Sequence, residues 1–237
     1  MIHYDRVSMD IKRRCDRLKS IYAVYDEFTA DMPRACHKHC ASCCTCNVTG
    51  TTLEAWLILD HLRTVSADAT GIYEMLSRPA PPRRFHPLVT INGMAALCMQ
   101  GRELPDELND PTAGVCRLLD GNICAIYDVR PFGCRAMLSS VTCGLTAEAC
   151  MPPLVLTINN IVMQFIEALD QPGASGNLID LLLYLSHPVQ RRAYESRQAH
   201  PWPQPLLPNQ SLPVLMIPPE HRMAVQPLLR SLSACSM

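Results

Sequence analysis

The sequence is poor in aromatic residues, in charged residues and in glycine. Aromatic residues make up 5% of its 237 residues, charged residues make up 18%, and there are ten glycines. The formal net charge is −1, and no block of basic residues is present. Nucleic-acid surfaces depend on clustered cations and stacking aromatic rings. We therefore expect neither nucleic acid nor a membrane surface as the main partner.

Long apolar runs are also missing. The longest apolar stretch near the middle of the chain, Leu181 to Leu185, is far shorter than the roughly 20 residues that span a bilayer. The residues after Met1 lack the continuous apolar segment of a secretory signal. We therefore expect a cytoplasmic protein, in which thiols stay reduced unless a metal holds them.

Sustained strand alternation is absent as well, whereas helical periodicity is frequent. A stripe of apolar side chains with alternating steps of four and three residues predicts a first helix over residues 8–30: Ile11, Cys15, Leu18, Tyr22 and Tyr25. The same reasoning predicts further helices over residues 53–62, 90–100, 154–169, 178–185 and 220–232. A loop rich in proline and arginine is expected over residues 78–84.

These elements predict a mainly α protein. We expect a single irregular helical domain over residues 1–200, built around a cysteine-rich metal site. Residues 201–237 are expected to form a proline-rich tail with a short terminal helix, because seven prolines lie between Pro201 and Pro219. The proline-rich part is expected to be extended and irregular, and either to cover the body or to offer a polyproline surface.

The second predicted helix begins close to a group of cysteines. Thr51 and Glu54 have the spacing of a capping box, in which each side chain caps a backbone amide of the other residue. The positive end of this helix dipole is expected to favour thiolates nearby.

Cysteine is the residue that stands out. Eleven of the thirteen cysteines lie between Cys36 and Cys150. The odd count and the adjacent pair Cys43 and Cys44 disfavour a complete disulfide framework. Soft thiolates select zinc, copper(I) or iron–sulfur clusters. Because a structural zinc ion takes four ligands, the cysteines are too numerous for one zinc and favour an iron–sulfur cluster or two centres.

Eight cysteines are the candidate metal ligands: Cys36, Cys40, Cys43, Cys44, Cys116, Cys124, Cys134 and Cys143. Cys46 and Cys150 are left open between ligand and bystander. Cys15 and Cys98 are expected to be buried apolar residues, and Cys235 is expected to lie outside the site.

Basic side chains accompany the candidate ligands. Arg130 and Arg135 are candidates for binding the cofactor, because they could neutralise an anionic thiolate cluster; Arg130 could instead pair with Asp128. His37 and His39 are expected beside the ligands or exposed to solvent, and Tyr127 is expected in the core.

Two motifs carry a resemblance to a known family. The first is Cys40-Ala-Ser-Cys43-Cys44, and the second is Cys116 followed by Cys124-Ala-Ile-Tyr-Asp-Val-Arg-Pro-Phe-Gly-Cys134-Arg. Together they resemble the CxxCxxCC family of YkgJ-like cysteine-cluster proteins, over residues 36–135. The chain departs from that pattern in having three residues between Cys36 and Cys40. The resemblance implies a zinc- or iron-chelating site and no particular reaction.

The leading functional hypothesis is a [4Fe–4S]-type protein with a redox or electron-transfer role and a protein or redox partner. One alternative is a zinc-scaffolded binding module that displays the proline-rich segment to a partner. Another is a cluster-dependent, methylase-like enzyme that uses S-adenosylmethionine, because Cys36, Cys40 and Cys43 have a C-x₃-C-x₂-C spacing. We expect the helix start at Thr51 and the turn at Arg130 and Pro131 to converge on one site.

Overall fold

The computed structural model describes residues 2–65, 71, 74, 76, 84–108, 113–143, 148–197 and 201–236. About half of the chain is helical, which confirms the mainly α prediction. The α-helices are α1 (Ile2–Phe28), α2 (Thr52–Val65), α3 (Ile91–Met99), α4 (Phe132–Arg135), α5 (Pro153–Leu169), α6 (Leu178–Ser186), α7 (Pro188–Glu195) and α8 (Gln226–Ser236). The strands are β1 (Thr49–Thr51), β2 (Leu119–Asp120), β3 (Ile123–Cys124), β4 (Ala174–Asn177) and β5 (Leu207–Pro208). Apart from Arg84, the predicted loop at 78–84 lies outside the described residues.

Helix α1 is the long element against which much of the body packs. Its predicted apolar stripe is buried, and none of the five side chains is more than 4% exposed. Helices α2, α5 and α8 all contact α1, and α2 also packs on α6. No helix in the described ranges is long and apolar enough to cross a membrane.

A small antiparallel sheet lies beside these helices and was not expected from the sequence. Its strand order is β1–β4–β5, and Gly50 pairs with Gly176 across the first two strands. Strands of two to four residues are too short to show an alternating pattern. A Cβ atom at Gly176 would lie 2.7 Å from Leu206 Cδ2, so glycine allows the chain before β5 to approach β4.

The proline-rich segment packs on this body instead of standing clear of it. Leu206 is buried, and the next two residues form β5. The Gln210 backbone amide donates to the Glu167 carboxylate at 2.7 Å, and the Met216 amide donates to Gln164 Oε1 at 3.1 Å. Buried side chains in helix α5 therefore hold the segment along much of its length.

The terminal helix begins later than predicted, and one helix was not predicted at all. The terminal helix α8 starts at Gln226, six residues later than expected, after a 3₁₀ turn at Pro219–His221. Helix α7 was not expected, because its sequence is polar and lacks an apolar stripe. Its start at Pro188 fits the preference for proline in a first helical turn.

A buried carboxylate joins several of these elements. Asp170 follows α5 and is fully buried. It accepts hydrogen bonds from Arg14 (2.6 Å), the Tyr194 hydroxyl (2.6 Å), the Thr52 hydroxyl (2.6 Å) and the Leu53 amide (2.9 Å). Burial raises the pKa of Asp170, while Arg14 and the hydrogen-bond donors act in the opposite direction. The side chain thus ties α1, α2, α5 and α7 together.

Replacing Asp170 by alanine should strongly destabilise the fold. The change leaves the buried Arg14 guanidinium without its counter-charge, and breaking a buried pair costs about 3–5 kcal/mol. Urea denaturation measures the loss. The matched control is Asp10→Ala, which removes an exposed ion pair with Arg197 and should cost less than about 1 kcal/mol. Equal losses in the two variants would contradict the assignment.

Candidate metal centre

Backbone hydrogen bonds bring the two cysteine groups together. Thr45 and Val115 form an isolated antiparallel bridge. On either side of it, the Cys46 amide donates to the Gly114 carbonyl and the Cys116 amide donates to the Cys44 carbonyl, both at 2.9 Å. The segment from Cys44 to Cys46 in the first cysteine group therefore lies directly against the segment from Gly114 to Cys116 at the start of the second group.

Cys36 is tied to a third segment, which follows Cys134. The Ala35 amide donates to the Ser139 carbonyl at 2.8 Å. The Cys36 thiol donates to the Met137 carbonyl at 3.1 Å, and its sulfur accepts from the Ser139 amide at 3.3 Å. The chain that follows the Cys134 turn is thereby linked to the first cysteine loop.

Cys116 precedes a short hairpin with a turn at Gly121, and Cys124 lies in its second strand. Strands β2 and β3 pair Leu119 with Cys124, and the turn contains Gly121 at a φ of 56°. Glycine adopts this left-handed conformation without the strain that a side chain would add. The hairpin returns the chain so that Cys124 lies on the same side as Cys116.

Glu54 positions the turn that carries Cys134. The predicted capping box is present, with the Thr51 amide donating to Glu54 Oε2 at 2.8 Å and the Glu54 amide donating to Thr51 Oγ1 at 3.4 Å. Glu54 Oε1 also accepts from the Phe132 amide at 2.6 Å and the Tyr22 hydroxyl at 2.7 Å. A Cβ at Gly133 would lie 2.7 Å from the Thr49 carbonyl oxygen, so the turn fits against β1 only with glycine there.

The helix start and the Arg130–Pro131 turn thus meet, but the start of α2 does not face the thiols. Its first amides are satisfied by the carboxylate of Asp170 and by the capping box. No residue of α2 lines the thiol cavity described next. The influence of the α2 dipole on the thiolates therefore stays a prediction, and no direct contact between the first amides and the cavity supports it.

Seven of the eight predicted ligands line one cavity of about 170 Å³. Apolar side chains, including Val48, Leu118 and Ile126, form much of the rest of its wall. We call it the thiol cavity, and its cysteines are Cys36, Cys40, Cys43, Cys44, Cys116, Cys124 and Cys134.

The remaining cysteines lie outside this lining. Cys143 is close enough to Cys36 for a thiolate there to influence it, without lining the cavity. Cys46 is buried and donates to the Val115 carbonyl at 3.0 Å, while Cys150 is exposed. Cys15 is buried as expected, whereas Cys98 is exposed, which corrects its prediction as a buried residue. Cys235 is half-buried in α8.

The two predicted arginines also line the thiol cavity. Arg130 lies 4.0 Å from the centre of the Tyr127 ring and donates to the Tyr127 carbonyl at 3.2 Å. Arg135 pairs with Asp26 at 3.1 Å and donates to the Asp128 carbonyl at 3.0 Å. Among the described residues, Arg130 forms no ion pair with Asp128, so that alternative is not observed.

Some lining residues were not predicted. Arg34 and Lys38 join the cavity wall together with the exposed His37 and His39. Tyr127, which was expected in the core, is half-buried in the wall instead. The run His37-Lys38-His39 between Cys36 and Cys40 is the sequence feature from which basic side chains in the cavity wall could have been predicted.

The thiols differ in acidity. Burial raises the pKa of Cys36, Cys116 and Cys134. The interaction between the neighbouring Cys43 and Cys44 side chains raises the pKa of Cys43 and lowers that of Cys44. Cys44 is therefore the thiol with the strongest thiolate character in this pair.

The cysteines supply the ligand type that a thiophilic metal prefers, and they line one cavity. Their sulfur atoms are not yet arranged as a coordination shell. All thirteen cysteines are free thiols. Within the described part of the chain, no three or more His, Cys, Asp or Glu side chains are grouped closely enough to hold a metal ion. Binding would require the cysteine side chains to rotate towards a common point. The backbone arrangement already supplies that point in the thiol cavity.

Comparison with known proteins adds no family to this picture. No family model, no curated protein and no solved structure matches the chain.

Replacing Glu54 by glutamine should loosen the Cys134 turn. The NH₂ group of the glutamine would face a backbone amide, of Thr51 or Phe132, that now donates to the carboxylate. A buried donor without an acceptor costs about 1–3 kcal/mol. Alkylation of Cys134, followed by mass spectrometry, should become faster in the folded protein. The control is Glu27→Gln on the exposed face of α1, which should change stability by less than about 0.5 kcal/mol. An unchanged Cys134 rate in the Glu54 variant would contradict this role.

In the metal-free reduced protein, Cys44 should be alkylated at lower pH than Cys36 or Cys134. A lowered pKa keeps Cys44 as thiolate at pH values where the thiols with raised pKa remain protonated, and the thiolate is the reactive form. Cys43→Ala removes this interaction between the two side chains, so the Cys44 pH–rate profile should shift to higher pH. Cys98→Ala, outside the cavity, should leave it in place. A Cys43→Ala profile identical to that of the unaltered protein would show that the pair does not interact.

Proposed function

We propose that the protein binds an iron–sulfur cluster of the [4Fe–4S] type in the thiol cavity and has a redox or electron-transfer role. The observation that carries the proposal is the convergence of seven cysteines from separate chain segments on one cavity. Seven thiols exceed the four that either one structural zinc ion or one [4Fe–4S] cluster takes, so the cavity would hold one centre with three thiols in reserve or two centres. Iron–sulfur clusters are commonly held by closely spaced cysteines together with a distant one.

The cysteines of the thiol cavity would hold the cluster, and Arg130 and Arg135 would offset its negative charge. When bound, the cluster supplies one-electron transfer. The apolar part of the wall would keep the surroundings at low polarity, which is one of the means by which a protein tunes a reduction potential. The resemblance to the YkgJ-like family of zinc- or iron-chelating proteins supports a metal held by these cysteines and does not choose between zinc and iron.

Replacing Cys124 or Cys134 by serine should lower the iron and sulfide content of protein purified without oxygen. Each change removes a soft thiolate from the cavity wall. Elemental analysis and Mössbauer spectroscopy measure the loss, and the unaltered protein should be brown. The controls are Cys98→Ser and Cys235→Ser, which lie outside the cavity and should keep the full content.

A colourless protein with stoichiometric zinc would overturn the iron–sulfur proposal in favour of the zinc-scaffolded module. One observation favours that alternative: the cysteines lie in loops whose strands have only two residues each. A metal that holds such loops couples its binding to their folding. A strong zinc chelator should then melt the loops while the α1–α2–α5 body stays helical by circular dichroism.

A further inference from the structure

The mouth of the thiol cavity carries charge of one sign. Its lining contains three arginines, one lysine and two histidines, and no aspartate or glutamate. This is unusual for a chain with 21 lysines and arginines against 22 acidic residues. We call this set the basic mouth, and it consists of Arg34, His37, Lys38, His39, Arg130 and Arg135.

The cations of the basic mouth are held in place largely by uncharged groups. Arg34 donates to the Thr29 and Ala30 carbonyls at the end of α1, each at 2.9 Å. Lys38 lies 5.3 Å from the centre of the Tyr127 ring, which Arg130 also covers. Within the described ranges, no carboxylate lies within ion-pair distance of Arg34, Lys38 or Arg130. Arg34 and Lys38 are exposed, so their charges are accessible to a partner, whereas Arg130 is half-buried in the wall.

One exposed apolar side chain lines the cavity together with these cations, and a second lies next to a lining cysteine. Ile123, at the tip of the β2–β3 hairpin, lines the same cavity and is 60% exposed. Val115, next to Cys116, is 67% exposed. Exposed apolar side chains bordered by charged ones are the arrangement of a protein–protein contact, with an apolar centre and a polar rim.

We propose that the basic mouth docks an acidic protein surface over the thiol cavity. Complementary charge steers such a partner and fixes its orientation. Nucleic acid is a poorer match. The described lining holds one tyrosine, Tyr127, and no tryptophan or phenylalanine. Arg130 already lies over the ring of Tyr127. A single ring that already carries a cation is a poor platform for stacking successive bases. This inference deepens the proposed function and rests on it only for the redox role of the partner.

Binding of a fluorescein-labelled glutamate-rich peptide tests the docking surface. Anisotropy titrations at low ionic strength should show binding that weakens as salt is added. Lys38→Glu reverses one exposed charge in the mouth and should weaken binding about fivefold or more. The matched control is Lys19→Glu, an equal charge change on an exposed position of α1 outside the mouth, which should change binding by less than about twofold.

The titrations are made on both the reduced metal-free protein and the metal-loaded protein. Equal weakening by Lys38→Glu and Lys19→Glu would overturn the proposal, because only net charge would then matter. Tighter binding of a labelled single-stranded oligonucleotide, with the same dependence on Lys38, would overturn it in favour of nucleic acid. If the peptide binds through Lys38 but no cluster is found, the docking surface stands and the proposed function fails. If a cluster is found but binding does not depend on Lys38, the proposed function stands and the docking surface fails.

Discussion

Two buried carboxylates at the start of helix α2 organise much of the molecule. Asp170 accepts the Leu53 amide in the first turn of the helix and pairs with Arg14 on α1, while Glu54 caps the same helix and accepts from the Phe132 amide. Amides at a helix start have no partner within the helix, so these contacts stabilise the helix while they fix its neighbours. Removing either carboxylate leaves buried donors unsatisfied, which costs more than the hydrogen bond itself contributes.

The same carboxylates connect the helical body to the thiol cavity. Glu54 lies between Tyr22 of α1 and the turn that carries Cys134. Gly133 then lets that turn approach the Thr49 carbonyl without a steric clash. The position of Cys134 therefore depends on the packing of α1 and α2, although no residue of either helix lines the cavity. From there, short backbone contacts extend the order to Cys44, Cys116 and Cys36.

Elements with long apolar periodicity could be predicted from the sequence, because burial of one face dictates both the pattern and the helix. Helices α1, α5 and α6 are of this kind. The three-stranded sheet and α7 could not, since tertiary contacts decide elements that are short or polar. Cysteine density identified the lining of the cavity, yet spacing alone could not separate Cys143 from the seven others. The roles of Arg34, Lys38 and Tyr127 depend on the folding of distant loops towards one another, and no local signal carries that information.

In the thiol cavity, hydrogen bonds hold the backbone in place, whereas some cysteine side chains have few hydrogen-bond partners. Its loops are joined by backbone hydrogen bonds near 2.9 Å, whereas the contact between the Cys40 sulfur and the Ser42 hydroxyl is 3.9 Å long. The Cys40 side chain can therefore rotate towards a metal without breaking the links between the loops, whereas rotation of Cys36 would give up its contacts with Met137 and Ser139. Burial keeps several of these thiols protonated, so a metal would have to displace their protons. The basic mouth lowers the electrostatic cost of the resulting thiolates, because the cations of Arg130 and Arg135 line the same wall. Charge at the mouth and thiols in the wall therefore act on the same equilibrium.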